Sequence, residues 1–93
     1  MITNNYSQKP PEEINKIIAS KIRFIRKKQK ISQQLLSKKS GVSYGSVKRF
    51  EQSGEVSLIS LTKIAIALNL NLALENLFED TLLSIEEITG EQS

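Results

Sequence analysis

The stretch from Ser32 to Gly54, SQQLLSKKSGVSYGSVKRFEQSG, leaves the backbone few choices. Ser32 carries the short oxygen-bearing side chain that caps a helix, and Leu35 and Leu36 supply that helix with a buried face. Gly41 falls where the chain must leave the helix through a left-handed conformation, which a Cβ opposes. Val42 is expected to pack into the turn. Ser43 can then cap a second helix whose inward residues are Val47 and Phe50, leaving Tyr44, Gly45, Ser46, Lys48 and Arg49 to face outward. Two short helices joined by a glycine elbow, the second exposed and basic, make the layout of a helix-turn-helix, whose second helix enters a DNA groove.

The rest of the chain reads as helical support for that pair. Pro11 with Glu12 and Glu13 suits a first helical turn, because proline tolerates the leading positions and carboxylates complement the positive helix end. Ile14, Ile17, Ile18, Ile22 and Ile25 recur at helical spacing and predict the inward stripe of a long helix ending near Gln29. Lys27, Lys28 and Lys30 sit at its far end, where the helix dipole favours cations. Ser57 is a cap for a fourth, core helix containing Leu58, Leu61, Ile64, Ala65 and Leu68. Asn69-Leu70-Asn71 breaks the pattern, Leu72 to Phe78 suggests a short fifth helix, and Ser84-Ile85-Glu86-Glu87 fits a capping box for a brief terminal helix. No segment alternates as a strand does. The expectation is an all-α, five-helix domain over residues 11–78, preceded by a flexible arm at 1–10 and followed by an acidic tail at 79–93.

Charge is divided unevenly along the 93 residues. Residues 1–50 hold twelve Lys or Arg against Glu12 and Glu13, whereas residues 51–93 hold Lys63 against eight acids. The first half suits a polyanion; the second suits a basic partner, or keeps the tail off DNA. Cysteine and histidine are both missing from the sequence, which removes disulfides, thiolate and imidazole metal ligands, and the usual general base and nucleophile partner. Ser37-Lys38 makes no catalytic pair, since neighbours on a helix point about 100 degrees apart. No enzyme activity, catalytic residue, metal or cofactor is therefore expected. No apolar run approaches the roughly 20 residues that span a bilayer, and MITNNYSQKPP lacks a signal-peptide core, so a cytoplasmic location is the expectation.

Several separated elements resemble one family. Arg23 and Arg26, Gln33, Gly41-Val42-Ser43, Glu51 and Leu61-x-x-Ile64-Ala65-x-Ala67-Leu68, within Ile22 to Leu77, are similar to the phage-repressor-like, or Xre/lambda-repressor-like (cro/C1-type), helix-turn-helix domains. The resemblance implies that Gln33 clamps a phosphate, that Ser43 caps the reading helix and touches phosphate, and that Tyr44, Gly45, Ser46 and Arg49 face base edges. Lys48 is implied at phosphate or base. Arg49 is the leading candidate for direct readout, because a guanidinium can bond guanine O6 and N7 together, worth about 1 to 3 kcal/mol of discrimination; an ion pair with Glu51 or Glu55 is the alternative. Gly45 departs from the family's pattern, where an amide or hydroxyl is frequent, and costs about 1 kcal/mol of helix stability relative to alanine. It permits close backbone approach to DNA or makes room for Tyr44. Arg26 and Glu51 match a position pair that forms a structural ion pair.

Domains of this kind bind two-fold operators as dimers, and Leu72, Leu74, Leu77, Phe78, Leu82, Leu83, Ile85 and Ile88 exceed what one small core requires. Leu72, Leu74 and Leu77 are expected to close the core, and Leu82 to Ile88 to meet a partner. The run from Val42 to Leu58 further resembles the HipB-like antitoxins, which dimerise, bind palindromic operator DNA, repress their own operon and hold a kinase toxin. A stand-alone Xre-type repressor is the alternative.

Overall fold

The computed structural model describes residues 8–81, and these form helices without strands. In chain order they are α1 (Pro11–Lys28), α2 (Gln33–Ser40), α3 (Tyr44–Ser53), α4 (Leu58–Ala67) and α5 (Asn71–Glu75). α1 packs on α3, α2 packs on both α3 and α4, and α4 packs on α5. The all-α, five-helix fold of a lambda-repressor-like domain is what the sequence pattern calls for. The terminal helix expected at residues 84–88 and the partner segment Leu82–Ile88 lie outside the described residues, as does most of the N-terminal arm.

Local chemistry sets each boundary. α1 opens on Pro10 and Pro11, with Glu12 and Glu13 in its first turn and Arg26, Lys27 and Lys28 in its last, so both helix ends carry complementary charge. Ser32, Ser43 and Ser57 accept hydrogen bonds from the backbone N–H of Leu35, Ser46 and Ser60, and thereby cap α2, α3 and α4. Gly41 and Gly54 end α2 and α3 at φ 79° and 84°. α5 has no side-chain cap and closes at Asn76, with Phe78 in a left-handed conformation at φ 68°, so it stops short of the expected Phe78.

Leu36, Val47, Phe50, Ile64 and Leu68 form the dry centre, joined by Ala19, Ile22 and Val42. Burying each of the large side chains contributes about 1.5 to 3 kcal/mol. Gln29 at the end of α1 donates from Nε2 to the Leu68 carbonyl at 2.8 Å, tying the first helix to the end of α4.

Four expectations about the core are corrected. Ile14, Ile17 and Ile18 are exposed, and the α1 stripe reaches the core only at Ile22 and partly at Ile25. The reason is the line of contact: α1 meets the end of α3 through the backbone of Asn15, which leaves Ile14, Ile17 and Ile18 at the edge of that contact. Leu35 is exposed, because the inward direction of α2 is already taken by Leu36. α4 turns only Ile64, Ala65 and Leu68 fully inward and leaves Leu58 at its outer edge. Leu72 and Leu77 are exposed as well, since α5 is too short to present both to the core, and only Leu74 is half-buried.

Candidate nucleic-acid interface

The reading helix is fixed from behind and below. Between α2 and α3 the Ser37 hydroxyl donates to the Val42 carbonyl at 2.6 Å, and the Ser40 hydroxyl accepts from the Val42 N–H at 3.1 Å. Val42 is thus bonded through both backbone groups while its side chain is buried. Ser37 is part of the elbow. At the start of α3, Ser43 Oγ accepts from the Ser46 N–H at 3.2 Å and donates to Ser46 Oγ at 2.9 Å. Val47 and Phe50 anchor the inner face of α3 at 0% and 1% exposure.

The far end of α3 is held by an ionic cluster. Arg26 Nε and Nη2 donate to the two carboxylate oxygens of Glu51 at 2.6 and 2.9 Å, a two-pronged pair between α1 and α3. Arg26 Nη1 donates to the Ile31 carbonyl at 2.6 Å, and Gln33 Nε2 donates to Glu51 Oε1 at 2.9 Å. The Glu51 side chain is 3% exposed. A buried pair of this kind fixes geometry more than it adds stability, because each charge gave up its water. Gln33 is therefore an oriented amide at the N-terminus of α2, beside the helix N–H groups that no intrahelical carbonyl can satisfy.

Two glycines border the same helix under different constraints. A Cβ on Gly54 would lie 2.7 to 2.8 Å from the backbone and Cβ of Asn15, so α3 ends hard against α1. A glycine directly after a helical run is the ordinary signal for such a helix end, but the contact with Asn15 has no local signature in the sequence. A Cβ on Gly45 would meet nothing within 4 Å.

Ser43, Tyr44, Gly45, Ser46, Lys48 and Arg49 lie together on the exposed side of α3, whereas Gln33 lies half-buried at the neighbouring helix start. Lys48 Nζ stands 4.8 Å from the centre of the Tyr44 ring, one helical turn away, a cation–π contact that gathers the two side chains. Arg49 sits at the mouth of a cleft shared with Ser46, Glu55, Val56, Ser57 and Ser60. It forms no ion pair with Glu51 or Glu55 among the described residues. Lys27, Lys28 and Lys30 at the end of α1, and Lys38 and Lys39 in the last turn of α2, are exposed as well. Chemically, the surface offers cations and hydroxyls to phosphate, and a guanidinium and a phenol to base edges.

The described residues contain no helix long and apolar enough to cross a membrane. No curated protein and no solved structure matches the chain. The family model described as helix-turn-helix matches residues 22–74, from the middle of α1 to the middle of α5. With that match spanning more than half of the chain and enclosing the elbow, the reading helix and its support, the protein belongs to the Xre/lambda-repressor-like helix-turn-helix family and is a DNA-binding transcriptional regulator.

Proposed function

We propose that the protein binds a palindromic operator as a homodimer, with α3 in the major groove of each half-site, and represses its own operon as a HipB-like antitoxin that also holds a kinase toxin. The carrying observation is the division of labour on α3: its inner face is locked by Val47, Phe50 and Glu51, while Arg49 is left without an internal ion-pair partner. Arg49 reads guanine, Tyr44 and Ser46 contact neighbouring base edges, and Gly45 lets the helix backbone approach the groove floor. Lys48, Ser43 and the Gln33 amide hold phosphates and set the register.

The dimer is supported by apolar surface that the described residues leave uncovered. Leu58, Ile66, Leu74, Leu77 and Phe78 line one groove between α4 and α5, and all but Leu74 are more than half exposed. Two-fold pairing would set the reading helices one duplex turn apart, about 34 Å. The toxin partner is supported by the resemblance of Val42 to Leu58 to HipB-like antitoxins.

Affinity capture from the native cell, followed by footprinting of the recovered DNA, tests the whole reading. The expected result is a symmetric footprint upstream of the protein's own operon together with a kinase-like protein. An operator without a protein partner would replace the antitoxin role by that of a stand-alone repressor, and a footprint without symmetry would exclude the dimer.

A further inference from the structure

Arg23, Gln33, Lys48, Glu51 and Gln52 line a crevice where α1, α2 and α3 meet. Its electrostatics depend on which of these groups is already satisfied. Glu51 is saturated, since Arg26 engages both oxygens and the Gln33 amide adds a third bond. Arg26 is equally committed, because its remaining arm donates to the Ile31 carbonyl. The charges of Arg26 and Glu51 cancel in the crevice wall, which leaves Lys48 and the only loosely paired Arg23 as its excess positive charge. Arg23 Nε stands 3.9 Å from Glu51 Oε1, beyond hydrogen-bond reach, and its side chain is 54% exposed. The Arg23 guanidinium donates no hydrogen bond to another described residue, which leaves its N–H donors available on this side of the crevice.

We propose that this crevice seats one backbone phosphate of bound DNA, with Arg23 as its principal cation and Lys48 and Gln52 on the opposite wall. The inference rests on the operator-binding reading above and adds a residue from α1 to that interface. Lys48 and Gln52 belong to the reading helix itself, so a duplex laid along α3 carries a strand past the crevice. A phosphodiester offers two accepting oxygens, which the planar fork of Arg23 can meet together, whereas the saturated Glu51 has nothing comparable to offer it. Arg26 has a positioning role here: by neutralising Glu51 it removes the one anion that would repel the phosphate. Contacts from two helices to one strand would fix the register of α3 before any base is read.

The test is a fluorescence-anisotropy titration of the full chain against a fluorescein-labelled, random-sequence duplex over a series of salt concentrations. Arg23→Gln is expected to weaken binding and to lower the slope of log K against log salt by about 0.9, the share of one phosphate contact. Arg23→Lys keeps the charge and is expected to keep the wild-type slope, with weaker binding through loss of the fork. Lys63→Gln, on exposed α4 surface away from the crevice, is expected to change neither. If Arg23→Gln retains the wild-type slope while the wild-type protein binds, the phosphate seat is overturned and the operator reading stands. If Arg23→Lys loses as much slope as Arg23→Gln, the effect follows side-chain shape instead of charge and the seat is likewise overturned. Absence of salt-sensitive binding by the wild-type protein would bring down both.

Discussion

The inner end and the outer face of α3 are built to opposite specifications. At the inner end, Phe50, Glu51 and Gly54 are determined several times over: by the core, by Arg26 and Gln33, and by the backbone of Asn15. On the outer face, Gly45 has open space around it and Arg49 has no ionic partner among the described residues. One end says what the protein needs in order to fold. The other carries residues that the fold does not explain, and under the proposed operator reading their reason is the duplex.

Substitutions at the inner end should therefore act on stability first. Arg26→Ala strands the buried Glu51 carboxylate and is expected to cost about 3 to 5 kcal/mol in urea denaturation, a large part of what a small domain possesses. Adding Glu51→Leu to Arg26→Met should return most of that loss. If Arg26→Ala and Glu51→Leu prove simply additive, the two ends of the pair are not coupled and the inner end is less determined than the geometry implies. Gly54→Ala comes next, because it combines a positive φ with a Cβ 2.7 Å from Asn15 backbone. A loss of about 3 kcal/mol, read as a lowered melting temperature, is the expected outcome.

Outer-face substitutions should leave the melting temperature nearly unchanged and alter DNA binding instead. Arg49→Ala is expected to relax the preference at one base pair by about 1 to 3 kcal/mol, measured as the affinity ratio between matched and mismatched operators. Gln33→Ala should weaken every sequence alike. Equal losses on all sequences for both variants would remove Arg49 from the reading role and blur the contrast between the two kinds of contact.

The elbow, the caps and the dry centre were legible because each depends on chemistry within a few residues. Ser32, Ser43 and Ser57 reach N–H groups three positions ahead, and Gly41 answers to its own dihedral angle. The ion pair between Arg26 and Glu51 spans 25 residues and came from family resemblance, not from spacing. What the pattern could not tell was which part of that face meets a neighbour. Ile14, Ile17 and Ile18 have faultless helical periodicity, yet periodicity says only which residues share a face, and α1 meets the end of α3 through Asn15 instead. The same ignorance of tertiary distance concealed Gly54, whose requirement is set by a backbone 39 positions away. At the candidate site, exposure was predictable from the inward pair Val47 and Phe50, but Arg49's lack of an ion-pair partner was not, since Glu51 and Glu55 are both near it in sequence.

Gly45 provides the smallest effect and the sharpest separation between the two specifications. Its backbone is helical and no atom beyond its chain neighbours and its own helix backbone lies within 4 Å of its Cβ position, so Gly45→Ala relieves the entropic cost of a glycine in the first turn of α3 without meeting another element. The variant should be more stable by up to about 1 kcal/mol, a gain readable in urea denaturation. If the glycine is there for the duplex, the same methyl group lies between α3 and the groove floor and should weaken operator binding even as the fold improves. Opposite signs in the two measurements would locate the constraint on Gly45 in the complex. A variant that is both more stable and equally tight on DNA would show that the outer face tolerates more than the close-approach reading allows, and base contact would then rest on Tyr44, Ser46 and Arg49 alone.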